Sequence, residues 1–246
     1  LVVERNAVEE VTTGGCEVLS VISIIIPTLD EERALPETLE SLKSQEGTFE
    51  VIVADGGSDD GTVEIVRSVS VTGHLVRCVQ APRGRARQMN AGAVAAGGEW
   101  LMFLHADTRL PADAVSRIMA LPSDVRAGCF HQLFNTRSRF LRLLSWAHNQ
   151  RFRVTRVIYG DQAMFVRREL FDQVGGFPDQ PMEDVAISLK LRRRTKPIML
   201  PGTVLTDARK FEQMGSWRAL RHSINLLLKF RRGADVSGDS FFDDYR

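Results

Sequence analysis

The chain has 246 residues, is 43% hydrophobic and 26% charged, and carries a formal net charge of +1. A length of this order buries a full core in one α/β domain, and the near-neutral balance excludes a global positive field that would draw the chain onto nucleic acid. Cys16, Cys78 and Cys129 are odd in number and lie far apart with no C-x-x-C pair, so neither a zinc site nor a disulfide framework is implied and a reducing compartment is expected.

Residues 1–20 carry Glu4, Glu9, Glu10 and Glu17 and lack the apolar centre of a signal peptide; they read as an N-terminal extension. Val21–Ile26 is an apolar, β-branched run and predicts a first strand. Leu35, Leu39 and Leu42 recur at helical spacing behind Pro36, which suits an early helix position. Val51–Ala54 predicts a second strand, Gly61–Val69 a short helix and Leu75–Val79 a third strand. Arg83–Gly97 reads as a helix rich in small residues, closed by Gly97-Gly98. Trp100–Leu104 is a strongly apolar strand ending in His105-Ala106-Asp107-Thr108. This alternation argues for a mainly parallel sheet with helices on both faces. Beyond it, Pro111–Leu121 predicts a helix, Ala127–Phe134 a strand, and Phe140, Leu141, Leu144 and Ala147 another helix. Ala163–Val166 reads as a short strand, Asp184–Arg194 as a helix, and Ile198–Leu200 and Val204–Thr206 as two strands or edges. Trp217, Leu220, Ile224, Leu227 and Leu228 line one face of a final helix. No run of eighteen apolar residues occurs, so no transmembrane helix is expected.

The loops that end the first two strands hold Asp30, Glu31, Asp55, Ser58, Asp59 and Asp60. In an open α/β sheet such loops form the ligand crevice. This concentration of acceptors suits a ribose, a base edge or a metal–phosphate cluster. It does not suit bare phosphate, which prefers a helix start free of acids. Each feature also has a plainer reading: Asp, Gly and Ser are ordinary turn residues, Ser58 and Asp59 suit a helix cap, an arginine cluster is usually a solvated face, and Glu183-Asp184 at a helix start is favoured by the helix dipole. The last helix carries Arg218, Arg221, His222, Lys229, Arg231 and Arg232; such a helix either packs on the domain with its charges in water or lies on an anionic membrane.

Pro27-Thr28-Leu29-Asp30-Glu31 and Asp55-Gly56-Gly57-Ser58-Asp59-Asp60-Gly61-Thr62 resemble the first two motifs of the family 2 glycosyltransferases. Arg83–Gly92, His105-Ala106-Asp107 and Gly175-Gly176-Phe177 with Met182-Glu183-Asp184 are similar to later family elements in the family's order, so the resemblance covers roughly residues 21 to 195. It implies a single α/β domain of the GT-A type (Rossmann-like), with a central, mainly parallel sheet flanked by helices. That domain would occupy 21–246, divided into a nucleotide-binding half at 21–108, an acceptor half at 109–210 and a C-terminal basic amphipathic helix and tail at 211–246. The implied reaction moves one sugar from a nucleoside diphosphate sugar, UDP-linked by expectation, to an acceptor hydroxyl with inversion. Pro27, Thr28, Leu29, Glu31, Asp55, Ser58, Arg87, Asn90, His105, Ala106, Asp107 and Asp161 would hold the donor, with Asp55 accepting from the N3–H of a uracil. Asp107 and His105 would take Mn²⁺ or Mg²⁺. Asp184 would be the general base and Glu183 would orient the acceptor.

Two departures matter. His105 stands where the wider family has the first Asp of D-x-D, as in one bacterial branch with His-Ala-Asp-Thr. Gln213–Trp217 does not match the Q-x-x-R-W of processive synthases, so chain elongation is not expected. The resemblance implies a cytoplasmic protein, at the inner face of a membrane if the last helix binds one, with no nucleic-acid partner. The alternatives are a retaining transferase, a nucleotidyltransferase, which would want a Gly-rich basic loop where Asp30-Glu31-Glu32 stands, and a sugar-nucleotide-binding protein with a degenerate site.

Overall fold

The computed structural model describes residues 22–232 apart from Ser70 and Thr72. The N-terminal extension read over 1–20, Cys16, the tail beyond 232 and the side chains of Leu227 and Arg231 lie outside the described residues.

β1 (Ile22–Thr28), β2 (Phe49–Asp55), β3 (Leu75–Gln80) and β4 (Trp100–Phe103) pair in parallel in the order β3-β2-β1-β4. The apolar runs of β1 and β4 are continuous because strands inside the sheet are covered on both faces, whereas β3, at the edge, is half exposed. Ile24 and Ile26 pack with Leu35, Leu39 and Leu42 of α1 (Leu35–Leu42). Ile25, between them, faces Met89 and Ala93 of α3 (Arg85–Ala95). Gly92 is needed on α3 because a Cβ there would run into the Ile25 side chain. α2 (Thr62–Ser68) links β2 to β3.

The second half departs from the parallel pattern. After β5 (Thr108–Arg109) and α4 (Ala114–Met119) come β6 (Ala127–Asn135) and α5 (Arg139–Thr155). A 3-10 turn over Gly160–Gln162 leads into β7 (Met164–Arg167), which is antiparallel to β4 and to β6. β8 (Ile198–Asp207) runs parallel to β6 and antiparallel to β5, completing an eight-stranded sheet ordered β3-β2-β1-β4-β7-β6-β8-β5. The sheet is therefore parallel in its first half and mixed in its second.

The two edges expected at 198–206 are one strand. Its register against β6 shifts where Phe130 faces Leu200 and His131 faces Thr203. Pro201 and Gly202 fall in that gap, and Pro201 has no N–H for the ladder. Three elements were not expected: β5, α6 (Arg168–Val174) and α8 (Arg209–Met214). α7 (Glu183–Arg192) and α9 (Ser216–Arg231) lie where helices were expected. Among the described residues no helix is long and apolar enough to cross a membrane.

Candidate active site

The register that pairs Thr28 with Asp55 and Ile25 with Phe103 brings the loops after β1, β2 and β4 to one edge of the sheet. The first two loops hold each other. Asp30, in left-handed backbone at φ 55°, accepts from the Asp59 amide through Oδ1 at 2.9 Å, and its own amide donates to Ser58 Oγ at 3.0 Å. The Glu31 amide donates to Thr62 Oγ1 at 2.8 Å, and the Glu32 amide to Asp60 Oδ2 at 3.0 Å. Asp55 is 3% exposed. Its Oδ2 accepts from the Gly57 and Ser58 amides at 2.9 and 3.0 Å, and its Oδ1 from Ser58 Oγ at 2.5 Å. Asp30, Asp55, Ser58 and Asp60 are thus committed to loop architecture. A base N–H reaching Asp55 would share an oxygen that already accepts.

Between these loops and the end of β4 lies an open cleft of about 450 Å³, lined by Pro27, Thr28, Leu29, Glu31, Arg85, Gln88, His105, Ala106 and Asp107. Seven of these were expected from sequence. Arg87 and Asn90, also expected at the donor site, do not line this cleft. Arg87 turns outward, its Nε 2.8 Å from Asp179 Oδ2. Asn90 clamps the backbone of Phe177, donating to its carbonyl at 2.8 Å and accepting from its amide at 3.0 Å. Arg85 and Gln88 take their places. One helical turn separates Arg85 from Gln88, so they share the face of α3 opposite to the expected one. Gln88 donates to the carbonyls of Thr28 and Ala54 and fixes α3 against the strand ends.

The cleft crowds negative charge. Burial pushes the Glu31 carboxyl up to about 7, and neighbouring Asp107 adds to the rise. Burial likewise raises Asp107, with Asp207 and Asp161 contributing, while a hydrogen bond from Thr108 and the Arg85 charge oppose it. Burial holds the His105 imidazole neutral, well below its ordinary range, and Arg85 pushes the same way. This donor set, one carboxylate of raised basicity and one neutral imidazole, fits a divalent cation of the Mn²⁺ type better than Mg²⁺. It does not complete a site, because among the described residues no three His, Cys, Asp or Glu side chains converge. Further ligands would have to come from a diphosphate and water.

His105 also lines a second, smaller pocket of about 240 Å³ with Gly160, Glu183 and Asp184. A Cβ on Gly160 would lie 2.5 Å from His105 Nε2, so glycine is required for this packing. Asp184 Oδ2 accepts from the Gly160 amide at 2.7 Å, and Oδ1 from the Val185 amide at 2.7 Å. Glu183 is 7% exposed and has a buried Oε1 without a hydrogen-bond partner. Burial pushes its carboxyl up to about 7. Burial raises Asp184 too, against the two backbone donors. Two adjacent carboxyls with raised proton affinity are suited to accepting a proton.

Asp161 sits behind this pair and lines neither pocket. Burial pushes it up to about 6, and its Oδ1 stands 3.5 Å from His148 Nε2. Because burial pulls His148 down to about 3, that contact joins a neutral ring to the carboxyl and is not an ion pair. The Arg151 guanidinium lies 3.6 Å from the centre of the Tyr159 ring in the same layer. His148 and Arg151, one turn apart on α5, were not singled out from sequence; their only signal was polar side chains on a helix face that the structure buries. On the other side of Asp107 a polar cleft of about 610 Å³ is lined by Arg33, Glu37, Arg109, Asn135, Asp207 and Arg209 among others.

The family model described as "Glycosyl transferase family 2" matches residues 23–177, more than half of the chain. A PGL/p-HBAD biosynthesis glycosyltransferase of Mycobacterium tuberculosis is 33% identical over 168 residues, 63% of this chain and 62% of the relative. The matched part therefore spans less than two thirds of that relative's length. An undecaprenyl-phosphate 4-deoxy-4-formamido-L-arabinose transferase of Proteus mirabilis is 28% identical over 111 residues, covering 42% of this chain and 34% of the relative. Among solved structures, S. aureus TarS 1-349 in complex with UDP-GlcNAc gives a TM-score of 0.60 at 19% identity, over 76% of this chain and 58% of that one. A mannosyltransferase from Pyrobaculum calidifontis in complex with GDP-Man and Mn²⁺ gives 0.59 at 26% identity, over 75% of this chain and 56% of that one.

Proposed function

The chain belongs to glycosyl transferase family 2, and on that premise we propose that it transfers a single sugar from a nucleoside diphosphate sugar to an acceptor hydroxyl with inversion. The observation that carries this reading is His105, which borders both the cleft under the Pro27–Glu31 loop and the pocket of Glu183 and Asp184. A donor lying along the first would present its anomeric carbon to the second. The UDP-GlcNAc complex of TarS and the GDP-Man complex of the mannosyltransferase support a nucleotide-sugar donor in a fold of this kind.

In the displacement, the acceptor oxygen bonds to the anomeric carbon as the bond to the diphosphate oxygen breaks, and the hydroxyl proton passes to a carboxylate. Asp184 takes that proton, with its two backbone hydrogen bonds fixing its orientation. Glu183 holds the acceptor, and Asp161 orders the layer behind them. Asp55 and Ser58 shape the loop that receives the nucleoside, and Arg85 faces the diphosphate. A divalent ion, when bound, would offset charge developing on the leaving diphosphate; Asp107 and His105 would be the chain's own ligands, in the form of the motif that one bacterial branch of the family carries. The polar cleft beyond Asp107 serves the acceptor. The nucleotide-binding half at 21–108, the acceptor half at 109–210 and a membrane contact through the basic C-terminal helix complete the reading, for a protein acting at the cytoplasmic face of a membrane.

The test is a panel of UDP- and GDP-sugars, scored by thermal shift and by release of the nucleoside diphosphate with Mn²⁺ present. Ligand binding raises stability by mass action. A donor that stabilises the protein and is consumed supports transfer. A donor that binds without ever being consumed, over an acceptor panel of sugars and lipid-linked hydroxyls, would leave a sugar-nucleotide-binding protein.

A further inference from the structure

Two helices of the second half of the chain carry cations and no acids. α5 and α9 together contain seven arginines and one lysine, and neither has a single Asp or Glu. The whole chain has a net charge of only +1, so positive charge is segregated here. Arg139, Arg142 and Arg153 of α5 and Arg218, Arg221 and Lys229 of α9 are exposed, and none forms a salt bridge among the described residues.

The same faces expose large apolar side chains. On α5 these are Leu143, Trp146 and Val154, with Trp146 59% exposed. On α9 they are Trp217, Ile224 and Leu228, with Trp217 73% exposed. Each set recurs at helical spacing, interleaved with the arginines rather than opposed to them. The Trp217 ring lies 4.5 Å from that of Phe140, which joins the start of α9 to the start of α5.

We infer that α5 and α9 form one membrane-binding surface, which takes an anionic lipid bilayer. Tryptophan and aliphatic side chains enter the headgroup boundary while the arginines around them meet lipid phosphates. A second copy of the chain is disfavoured as occupant, because two such faces repel. A polynucleotide would match the charge and leave Leu143, Val154 and Leu228 without a purpose. The inference deepens the reading of α9 as a membrane contact by adding α5, and it does not depend on sugar transfer. It also bears on the site: α5 supplies His148 and Arg151 behind Asp161, and Asp207 and Arg209 of the polar cleft stand one short helix ahead of α9. The surface therefore shares α5 with the acceptor side, and α9 follows that side by one short helix.

The experiment is co-sedimentation of the full chain with vesicles of phosphatidylcholine, pure or mixed with phosphatidylglycerol, at low and high salt. Binding is expected only with the anionic lipid and is expected to weaken with salt. Leu143→Ser with Trp146→Ser on α5, and separately Trp217→Ser with Leu228→Ser on α9, should each lower partitioning about tenfold or more. Arg139→Gln with Arg142→Gln should lower it without touching apolar packing. A parent-like melting temperature in each variant, measured without nucleotide, establishes the fold and keeps this test apart from the donor reading. Parent-like binding by both α5 variants would overturn the two-helix surface and leave α9 alone as the contact. Absence of binding to anionic vesicles, equal binding to neutral ones, stronger capture by duplex DNA, or a stable dimer that hides Trp146 would each overturn the inference outright.

Discussion

The Arg85 guanidinium stands 3.7 Å from Glu183 Oε1, and this pair bridges the cleft under the Pro27–Glu31 loop and the pocket of the two carboxyls. Arg85 opens α3 on the β1 side, whereas Glu183 opens α7 in the second half of the chain. Its charge lowers the proton affinity of Glu31, Asp107, Asp161, Glu183 and Asp184 alike. One cation therefore offsets repulsion among five buried or half-buried acids, at the place where a diphosphate would add more negative charge.

Replacing Arg85 with Met should weaken UDP binding about tenfold or more, the scale of losing a charge-assisted hydrogen bond. Without the guanidinium the carboxyls beside it hold their protons to higher pH. The acid limb of kcat/KM should therefore move upward in pH. Calorimetry and a pH–rate profile check both. Unchanged UDP affinity would place the diphosphate away from Arg85.

Glu31→Gln tests the crowding by stability. The Glu31 carboxyl titrates near 4.5 when unfolded and is pushed up to about 7 by burial and by Asp107. Between those values the folded protein keeps a proton that the unfolded chain has lost. Stability through this group is then full below about pH 4.5 and falls as pH rises towards 7. Glutamine stays neutral throughout. The variant should melt with the parent near pH 4.5 and a few degrees above it at pH 8, where about 1 kcal/mol moves a domain of this size by that much. A parent that melts higher at pH 8 would contradict the assignment.

Asp184→Asn should lower transfer on the order of a hundredfold or more, the weight of general-base catalysis. The amide also offers one acceptor oxygen where the carboxylate uses two, for the Gly160 and Val185 amides. A stability loss of about 1–3 kcal/mol should accompany the change. UDP affinity should hold, because Asp184 does not line the cleft under the Pro27–Glu31 loop. Assays well below the melting temperature separate the two effects, and near-parental turnover there would remove Asp184 as the base.

The parts of this arrangement that were legible in the sequence are those fixed by local pattern. The strands β1, β2 and β4 are apolar runs ended by turn residues, and the cleft between their ends follows from parallel pairing. The antiparallel insertion of β7 between β4 and β6 left no local mark, and seven-residue α6 begins at Arg168 with no capping side chain on Arg167. The choice between Arg85 and Arg87 was equally hidden. Both lie in one basic cluster, and the difference is the rotation of α3, which Gly92 on Ile25 and Gln88 on the Thr28 carbonyl determine. Asp55 and Ser58 were legible as a motif, but sequence could not show that their oxygens are committed to each other and to the loop.

Gly160→Ala should act on the site through His105. The glycine has ordinary backbone, so alanine brings no conformational strain, only a Cβ that would lie 2.5 Å from His105 Nε2. The ring must shift out of its place between the two pockets. Transfer should fall about tenfold or more, the scale on which a small misplacement costs, with a stability loss of about 1–3 kcal/mol from overpacking that assays well below the melting temperature keep apart. Parental activity would mean that the place of His105 does not matter to the reaction.

The metal gives the last prediction. Asp107 and His105 are the chain's own donors at the cleft, and no third protein ligand converges on them among the described residues. The free protein should therefore hold a divalent ion weakly. A diphosphate supplies further oxygens, so UDP should tighten Mn²⁺ binding, and Mn²⁺ should tighten UDP by the same factor, as linkage requires. Imidazole is a softer ligand than carboxylate, so Mn²⁺ should serve better than Mg²⁺. His105→Asp supplies a hard oxygen and should narrow that preference. Mn²⁺ titrations with and without UDP, in the parent and in the variant, decide the matter. Tight metal binding without nucleotide, or undiminished transfer in excess chelator, would show that Asp107 and His105 do not act through a cation.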